Sequence, residues 1–107
     1  MEPFDAVKYL VDELERAERK FPSWPIDAVH AAAIVCEEAG ELQQAALQFT
    51  YENGADHKMF AEAVHVGAMA LRFLLNINLL RVCPSEQRER VPCILHHDKV
   101  QNEKGSQ

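Results

Sequence analysis

The stretch HKMFAEAVHVGAMALRFLLNINLL, residues 57–80, decides the fold. It is rich in Ala, Met and Leu and contains no proline, which predicts one long helix. Apolar residues cover almost its whole circumference, so this helix must be buried on several sides. Two other helices of a small chain cannot cover it. We therefore expect a homodimer or homotetramer in which helix pairs form a four-helix core.

Two further helices are predicted before this stretch. Residues 4–20 place apolar side chains at helical spacing, and the segment ends at the two prolines of residues 21–25. A second helix is expected over residues 27–52, ended by Asn53-Gly54, because both residues tolerate left-handed backbone geometry. Asp56 is the expected N-cap of the third helix. The short turn favours an antiparallel helical hairpin.

The chain of 107 residues, with 48% hydrophobic and 26% charged residues, predicts one small folded domain. We expect an all-α helical domain over residues 1–80, built as a helical hairpin plus an N-terminal helix. We expect residues 81–107 to form a partly flexible C-terminal extension. This extension contains four residues that could bind zinc, Cys83, Cys93, His96 and His97. Cys93 and His96 have ligand-like spacing, but a paired C-x₂-C is missing, so zinc binding is the less favoured interpretation.

Charge and composition exclude several classes of function. The formal net charge is −6, so the chain is a poor binder of nucleic acid polymers or of an anionic membrane. The most apolar stretch, residues 63–80, contains His65, Arg72 and Asn76, which argues against a membrane span. The N-terminal residues are charged throughout and lack the apolar core of a signal peptide, so a cytoplasmic location is expected.

The segment CEEAGEL on the second helix places three carboxylates close together. Glu37, Glu38 and Glu41 fall within an arc of about 100° on a helical wheel, and Glu38 points into the apolar face. Buried carboxylates repel one another and lose hydration, which a divalent cation would offset. Hard ions such as Mg²⁺ or Mn²⁺ prefer oxygen ligands, so this pattern predicts such a site.

The third helix has one polar stripe on its otherwise apolar surface. Its members are Lys58, Glu62, His65, Arg72 and Asn76. In an antiparallel hairpin, residues at similar distances from the turn lie at similar height. The stripe is therefore expected to face the glutamates of the second helix.

CEEAGELQQAAL followed by AEAVHVGAMALRFL resembles the MazG-like, all-α nucleoside triphosphate pyrophosphohydrolases over roughly residues 24–80. The family pattern is Glu-Glu-x-x-Glu on one helix and Glu-x-x-Asp on the next. The first motif matches fully, whereas in the second Glu62 matches and His65 stands where the family has Asp. The resemblance implies Mg²⁺-dependent cleavage of the α–β phosphate bond, which releases a nucleoside monophosphate and pyrophosphate, by a dimer or tetramer.

The resemblance also implies roles for the acidic residues. Glu37, Glu38, Glu41 and Glu62 would hold Mg²⁺, with Mn²⁺ as the alternative ion, and Glu38 would orient or deprotonate the attacking water. His65 would be a further ligand, although a neutral imidazole suits softer metals than Mg²⁺. We expect that histidine in place of the family's Asp weakens Mg²⁺ binding, shifts the preference to Mn²⁺ or abolishes activity.

A second group of residues would bind the nucleoside triphosphate. Lys58 and Arg72 are candidates to bind phosphate oxygens, with Asn76 assisting. Trp24, on the proline-bounded loop before the second helix, is a candidate to stack on the base.

Each of these residues also has a purely structural interpretation. The three glutamates of CEEAGEL would form a solvated helix face, although no basic residue lies four positions away from any of them. Glu62 would pair with Lys58, and His65 would be a buried histidine bonded to a glutamate. Arg72 would be an ion-pair partner of the carboxylates, and Trp24 would anchor the loop on the bundle.

Two other functions remain open from the sequence. Glu62-x-x-His65 is also the spacing of ferritin-like di-iron helices, so a carboxylate/His di-metal bundle of oxidoreductase or metal-handling type is the first alternative. The second is a catalytically inactive oligomerisation module. Metal content separates the first alternative from the pyrophosphohydrolase, and the absence of pyrophosphate release identifies the second.

Overall fold

The computed structural model describes residues 1–80, in which three α-helices and one 3₁₀ turn occur and no strand is present. Helix α1 spans Pro3–Lys20, α2 spans Ala28–Tyr51, α3 spans Asp56–Leu75, and the 3₁₀ turn spans Ile77–Leu79. The all-α prediction is confirmed for this part of the chain. The predicted extension over residues 81–107, with its cysteine and histidine residues, lies outside the described residues.

The beginning and end of α2 follow from local signals. The carboxylate of Asp27 accepts a hydrogen bond from the backbone N–H of His30 at 2.8 Å, which confirms Asp27 as the N-cap. Asn53 has a φ of 59°, in the left-handed region. The N–H of Gly54 then donates to the carbonyl of Gln48 at 2.8 Å and satisfies the end of the helix.

Two boundary predictions for the third helix are wrong. Asp56 is its first residue, and the N-cap position belongs to Ala55, which makes no side-chain hydrogen bond. The helix also ends at Leu75 and does not continue to residue 80. The amide Nδ2 of Asn76 donates to the carbonyl of Arg72 at 2.8 Å, so this short polar side chain competes for the helix backbone and ends the helix.

Helix α3 lies between the other two helices and packs against both, whereas the backbones of α1 and α2 do not approach each other. The core joins Leu14 and Ala17 of α1 to Ala68 and Met69 of α3. At Gly67 the two helices come so close that an added Cβ would lie 2.5 Å from Cδ2 of Leu10. Two helices of the chain thus cover part of α3, and whether further copies cover the rest stays a prediction.

The described core is small, and much apolar surface remains exposed. Among residues 1–80 no large side chain is completely buried. Leu74 and Leu75, at the end of α3, are 52% and 63% exposed. None of the helices in this range combines the length and the apolar character that crossing a membrane requires.

Candidate metal site and cleft

Glu38 occupies a position on α2 that faces α3. It shares this inner stripe with Ala31 and Ala45, which are 0% and 2% exposed, because the three residues recur at helical spacing. The Glu38 side chain is 26% exposed. Its Oε2 atom is buried, and no hydrogen-bond donor of residues 1–80 reaches it. A carboxylate oxygen in this situation calls for a cation or a proton.

Glu62 and His65 supply the opposite side of the site from successive positions on one face of α3. The Nδ1 atom of His65 lies 3.5 Å from Oε1 of Glu62 and 3.8 Å from Oε2 of Glu38. One ligand atom from each of the three residues falls within 4.8 Å of the others. We call this group the Glu38–Glu62–His65 cluster. It joins α2 and α3 as the hairpin register predicts.

The electrostatics of the cluster reflect crowded negative charge. Burial raises the pKa of Glu38, and the nearby carboxylates of Glu41 and Glu62 raise it further, while His65 opposes this effect. Burial also raises the pKa of Glu62, followed by the proximity of Glu41, while His65 and Lys58 lower it. Glu41 can share a hydrogen bond with either residue only when one of the carboxyl groups is protonated. A bound cation would remove the need for that proton.

The structure separates the three glutamates of CEEAGEL. Glu38 is directed at α3, and Glu41 is exposed but close enough to act on Glu38 and Glu62. Glu37 is exposed and does not belong to the cluster. Consecutive residues on a helix differ by about 100° in direction, so Glu37 and Glu38 cannot both face the same neighbour.

Arg72 is held by the connection between α1 and α2. It is 4% exposed, and its Nη2 atom donates to the carbonyl of Phe21 at 2.6 Å, with the carbonyl of Ser23 at 3.4 Å. Its guanidinium lies over the Trp24 ring, 4.9 Å from the centroid. No carboxylate of residues 1–80 forms an ion pair with Arg72, so its predicted structural partner is replaced by backbone carbonyls. Its Nε atom is buried without a partner in this range.

The other predicted substrate residues lie in different places. Lys58 is exposed one helical turn before Glu62, and its charge acts on that carboxylate. Trp24 is half-buried against the core, and its Nε1 atom is buried without a partner among the described residues. Asn76 uses its amide group on the carbonyl of Arg72. Trp24 thus has the loop-anchoring contacts of its structural interpretation.

A cleft of about 370 Å³ lies over α3, between α1 and α2. Part of the cluster and the Arg72–Trp24 pair line this same cleft. Its polar and aromatic lining includes Glu13, Arg16, Trp24, Glu38, His65 and Arg72. An acidic end and a cationic end therefore share one concave surface, as a site for a metal-bound phosphate would require.

Glu13 is a cleft residue that the sequence motifs do not indicate. It extends from α1, its Oε2 atom lies 3.8 Å from Nε2 of His65, and its side chain is 14% exposed. Arg16 donates to both Glu13 oxygens, at 2.8 and 2.6 Å. The available signal was its position between Leu10, Leu14 and Ala17, at the edge of the apolar face of α1.

The chemistry of the donors fits a divalent cation. Two carboxylates and one imidazole are a common mixed ligand set, and the unpartnered Oε2 of Glu38 is directed into the group. The imidazole favours Mn²⁺, Fe²⁺ or Zn²⁺ more than Mg²⁺, while the neighbouring Glu41 adds a further oxygen donor.

No protein-family model matches the chain, and no curated protein or solved structure is significantly similar to it. The residues of the cleft and the spacing of the glutamate motifs are therefore the basis of the function that we propose.

Proposed function

We propose that this protein is a divalent-metal-dependent nucleoside triphosphate pyrophosphohydrolase. The supporting observation is the convergence of Glu38, Glu62 and His65 beside a cleft that Arg72 and Trp24 also line. The motif resemblance adds the substrate class and the bond that is cleaved. The products would be a nucleoside monophosphate and pyrophosphate.

The acidic residues have two proposed roles in hydrolysis, metal binding and proton acceptance. Glu38, Glu62 and His65 would hold the cation, with Glu41 as the adjacent oxygen donor. When bound, the cation would neutralise the triphosphate and lower the pKa of a coordinated water. Glu38 is the proposed base, through whichever of its two carboxylate oxygens the cation does not engage. Water oxygen bonds to the α-phosphorus, its proton passes to Glu38, and pyrophosphate leaves.

The substrate side uses the cationic and aromatic groups of the cleft. Lys58 stands at the rim of the cluster, where an ammonium group would meet phosphate oxygens. Arg72, which lines the cleft, contributes positive charge. Trp24 provides the aromatic surface for a base. Asn76 is the proposed assisting residue, one helical turn after Arg72, although its amide already donates to the main-chain carbonyl of Arg72.

Self-association is part of the proposal. Val29, Cys36, Gly40 and Leu47 recur at helical spacing on the side of α2 that faces away from α3, and all four are exposed. An apolar stripe of this kind fits the helix of a second copy better than water. We propose a homodimer or homotetramer in which two hairpins form the four-helix core.

The decisive experiment measures pyrophosphate and monophosphate release from ribo- and deoxyribonucleoside triphosphates with Mg²⁺ or Mn²⁺. We expect turnover with the wild type and its loss in Glu38→Gln and Glu41→Gln. Glu52→Gln, at the exposed end of α2, removes the same charge outside the cluster and should stay active. Full activity in both Glu38→Gln and Glu41→Gln would show that the site is assigned to the wrong residues.

His65→Asp restores the acidic residue of the family pattern. We expect it to raise Mg²⁺-supported activity, because a carboxylate adds the negative charge and the oxygen ligand that Mg²⁺ prefers. A fall in activity would mean that the imidazole has a role of its own.

The imidazole also favours a second candidate, the di-metal bundle. Glu62 and His65 approach each other at the spacing that di-iron helices use, and Glu38 would supply a further carboxylate ligand. Iron in the purified protein, with visible-region absorbance, would favour this function. A protein without any metal-dependent rise in Tm and without pyrophosphate release would instead be an inactive oligomerisation module.

A further inference from the structure

His65 lies between two acidic surfaces that come from different helices. Its Nδ1 atom faces Glu62 at 3.5 Å and Glu38 at 3.8 Å, on the α2 side. Its Nε2 atom faces Oε2 of Glu13 at 3.8 Å, on the α1 side. Since the backbones of α1 and α2 do not approach each other, His65 links the two helices through its ring.

Glu13 is itself held in place. Arg16 donates through Nε and Nη2 to the two oxygens of Glu13, at 2.8 and 2.6 Å, which fixes the plane of the carboxylate. Glu13 is 14% exposed at its side chain, whereas Arg16 is 51% exposed. The pair therefore presents a shielded carboxylate to the ring and a solvated guanidinium to the outside.

We propose that Glu13 is a positioning residue that orients His65 for cation binding through Nδ1. This inference rests on the metal site of the proposed function. An imidazole that binds a cation through one nitrogen keeps its proton on the other, and that N–H needs an acceptor. Glu13 is the carboxylate that faces Nε2. The 3.8 Å separation exceeds a hydrogen bond of about 2.9 Å, so the proposal requires the His65 ring to move towards Glu13 when a cation binds.

The consequence is that α1 takes part in the metal site without contributing a ligand. A second carboxylate behind a metal-bound histidine fixes the ring orientation and increases its strength as a ligand. The alternative is that Glu13 and Arg16 form only a local ion pair on α1, which would contribute little to any other residue.

The test uses Zn²⁺ as a diamagnetic probe and the full chain. Long-range ¹H–¹⁵N correlation spectra report which ring nitrogen of His65 binds the ion, and the His65 signals are identified from a His65→Gln variant. Calorimetry gives the Zn²⁺ dissociation constant. In the wild type we expect Zn²⁺ on Nδ1 and a proton on Nε2.

Glu13→Gln is expected to weaken Zn²⁺ binding roughly 10- to 100-fold, the usual effect of removing a partner behind a metal ligand. Its His65 spectrum should show Zn²⁺ distributed over both nitrogens. Glu15→Gln, an exposed change of equal charge on the same helix, should match the wild type in both measurements. Glu13→Asp, which keeps a carboxylate, should recover part of the affinity.

The outcomes separate the two proposals. If the wild type does not bind Zn²⁺ at His65, the metal site of the proposed function is wrong and this inference fails with it. If Zn²⁺ binds through Nδ1 but Glu13→Gln equals Glu15→Gln, only the role of Glu13 is wrong. Zn²⁺ on Nε2 in the wild type would overturn the inference even if Glu13→Gln did not fold.

Discussion

Glu38 is a carboxylate at a position where its neighbours on the same stripe of α2 are alanines. Ala31 and Ala45 are buried against α3, and a glutamate between them brings its charge to the same interface. Charge repulsion and lost hydration make this arrangement unfavourable in the absence of a cation. A residue that destabilises the free protein in this way is typical of a binding or catalytic site.

The cluster should make the stability of the metal-free protein depend on pH. Because the pKa values of Glu38 and Glu62 lie above the ordinary 4.5, the native state retains protons that the unfolded chain has released. The free energy of unfolding therefore falls as pH rises from about 4.5 through the raised native pKa values. Urea unfolding at a series of pH values, with a chelator present, measures this decline.

Glu38→Gln should make the decline shallower, since the variant lacks one of the two retained protons, while Glu52→Gln should follow the wild type. Equal slopes in the wild type and Glu38→Gln would contradict the burial of this charge.

Glu13 has the opposite effect on the free energy of unfolding, and at lower pH. Its pKa is lowered by the hydrogen bonds from Arg16, so its contribution is lost as pH falls through that lowered value.

At the scale of the elements, α3 is the helix on which the other two depend. At Gly67 its backbone packs directly against the Leu10 side chain of α1, and its far end is held to the α1–α2 connection by Arg72. These two contacts set how far α1 stands from α2. They therefore set the width of the cleft.

Gly67→Ala should destabilise the protein. Alanine improves helix propensity by about 1 kcal/mol, but its Cβ would lie 2.5 Å from Cδ2 of Leu10 and displace this side chain from its packing against α3. We expect a net loss of about 1 kcal/mol in the free energy of unfolding, measured in urea. In a Leu10→Ala background the same substitution should become neutral or stabilising, because the obstructing side chain is gone. Destabilisation of equal size in both backgrounds would contradict this contact.

Arg72→Met should separate the structural role of Arg72 from its proposed substrate role. The variant loses the hydrogen bonds to the loop carbonyls, and we expect a loss of about 2 kcal/mol. Trp24, the single tryptophan, should shift its fluorescence to longer wavelength as the loop detaches. Arg19→Met, at an exposed arginine of α1, should change neither signal. Unchanged stability and fluorescence in Arg72→Met would contradict the loop-anchoring role.

At the scale of the whole molecule, residues 1–80 expose many large apolar side chains, while the core that they bury is small. The core side chains of residues 1–80 are mostly alanines, while Val29 is 78% and Leu47 is 44% exposed on the outer stripe of α2. Helices in small domains gain most of their stability from packing. A second copy on this stripe would supply packing that one chain lacks.

Leu47→Glu should disrupt the proposed self-association. We expect sedimentation of the wild type to give a multiple of the 12.1 kDa chain mass and that of Leu47→Glu to shift towards the monomer. Phe4→Glu is the control, since Phe4 is 87% exposed on α1 and lies off the stripe. A wild type that sediments as a monomer would exclude the assembly.

The sequence by itself determined the features that depend on neighbours along the chain. The all-α class, the cap at Asp27 and the left-handed Asn53 follow from local backbone chemistry, and the facing of Glu38 and Glu62 follows from a short turn. Even there the end of α3 was misplaced, because one side-chain hydrogen bond from Asn76 decided it.

Only the tertiary structure decided which side chains of separate helices meet. The approach of Glu13 to His65, the exclusion of Glu37 from the cluster and the use of Arg72 on loop carbonyls depend on the rotation of each helix about its axis. A rotation of about 100° exchanges one residue for the next at an interface. Those rotations are set by the packing of all three helices together, and no single segment specifies them.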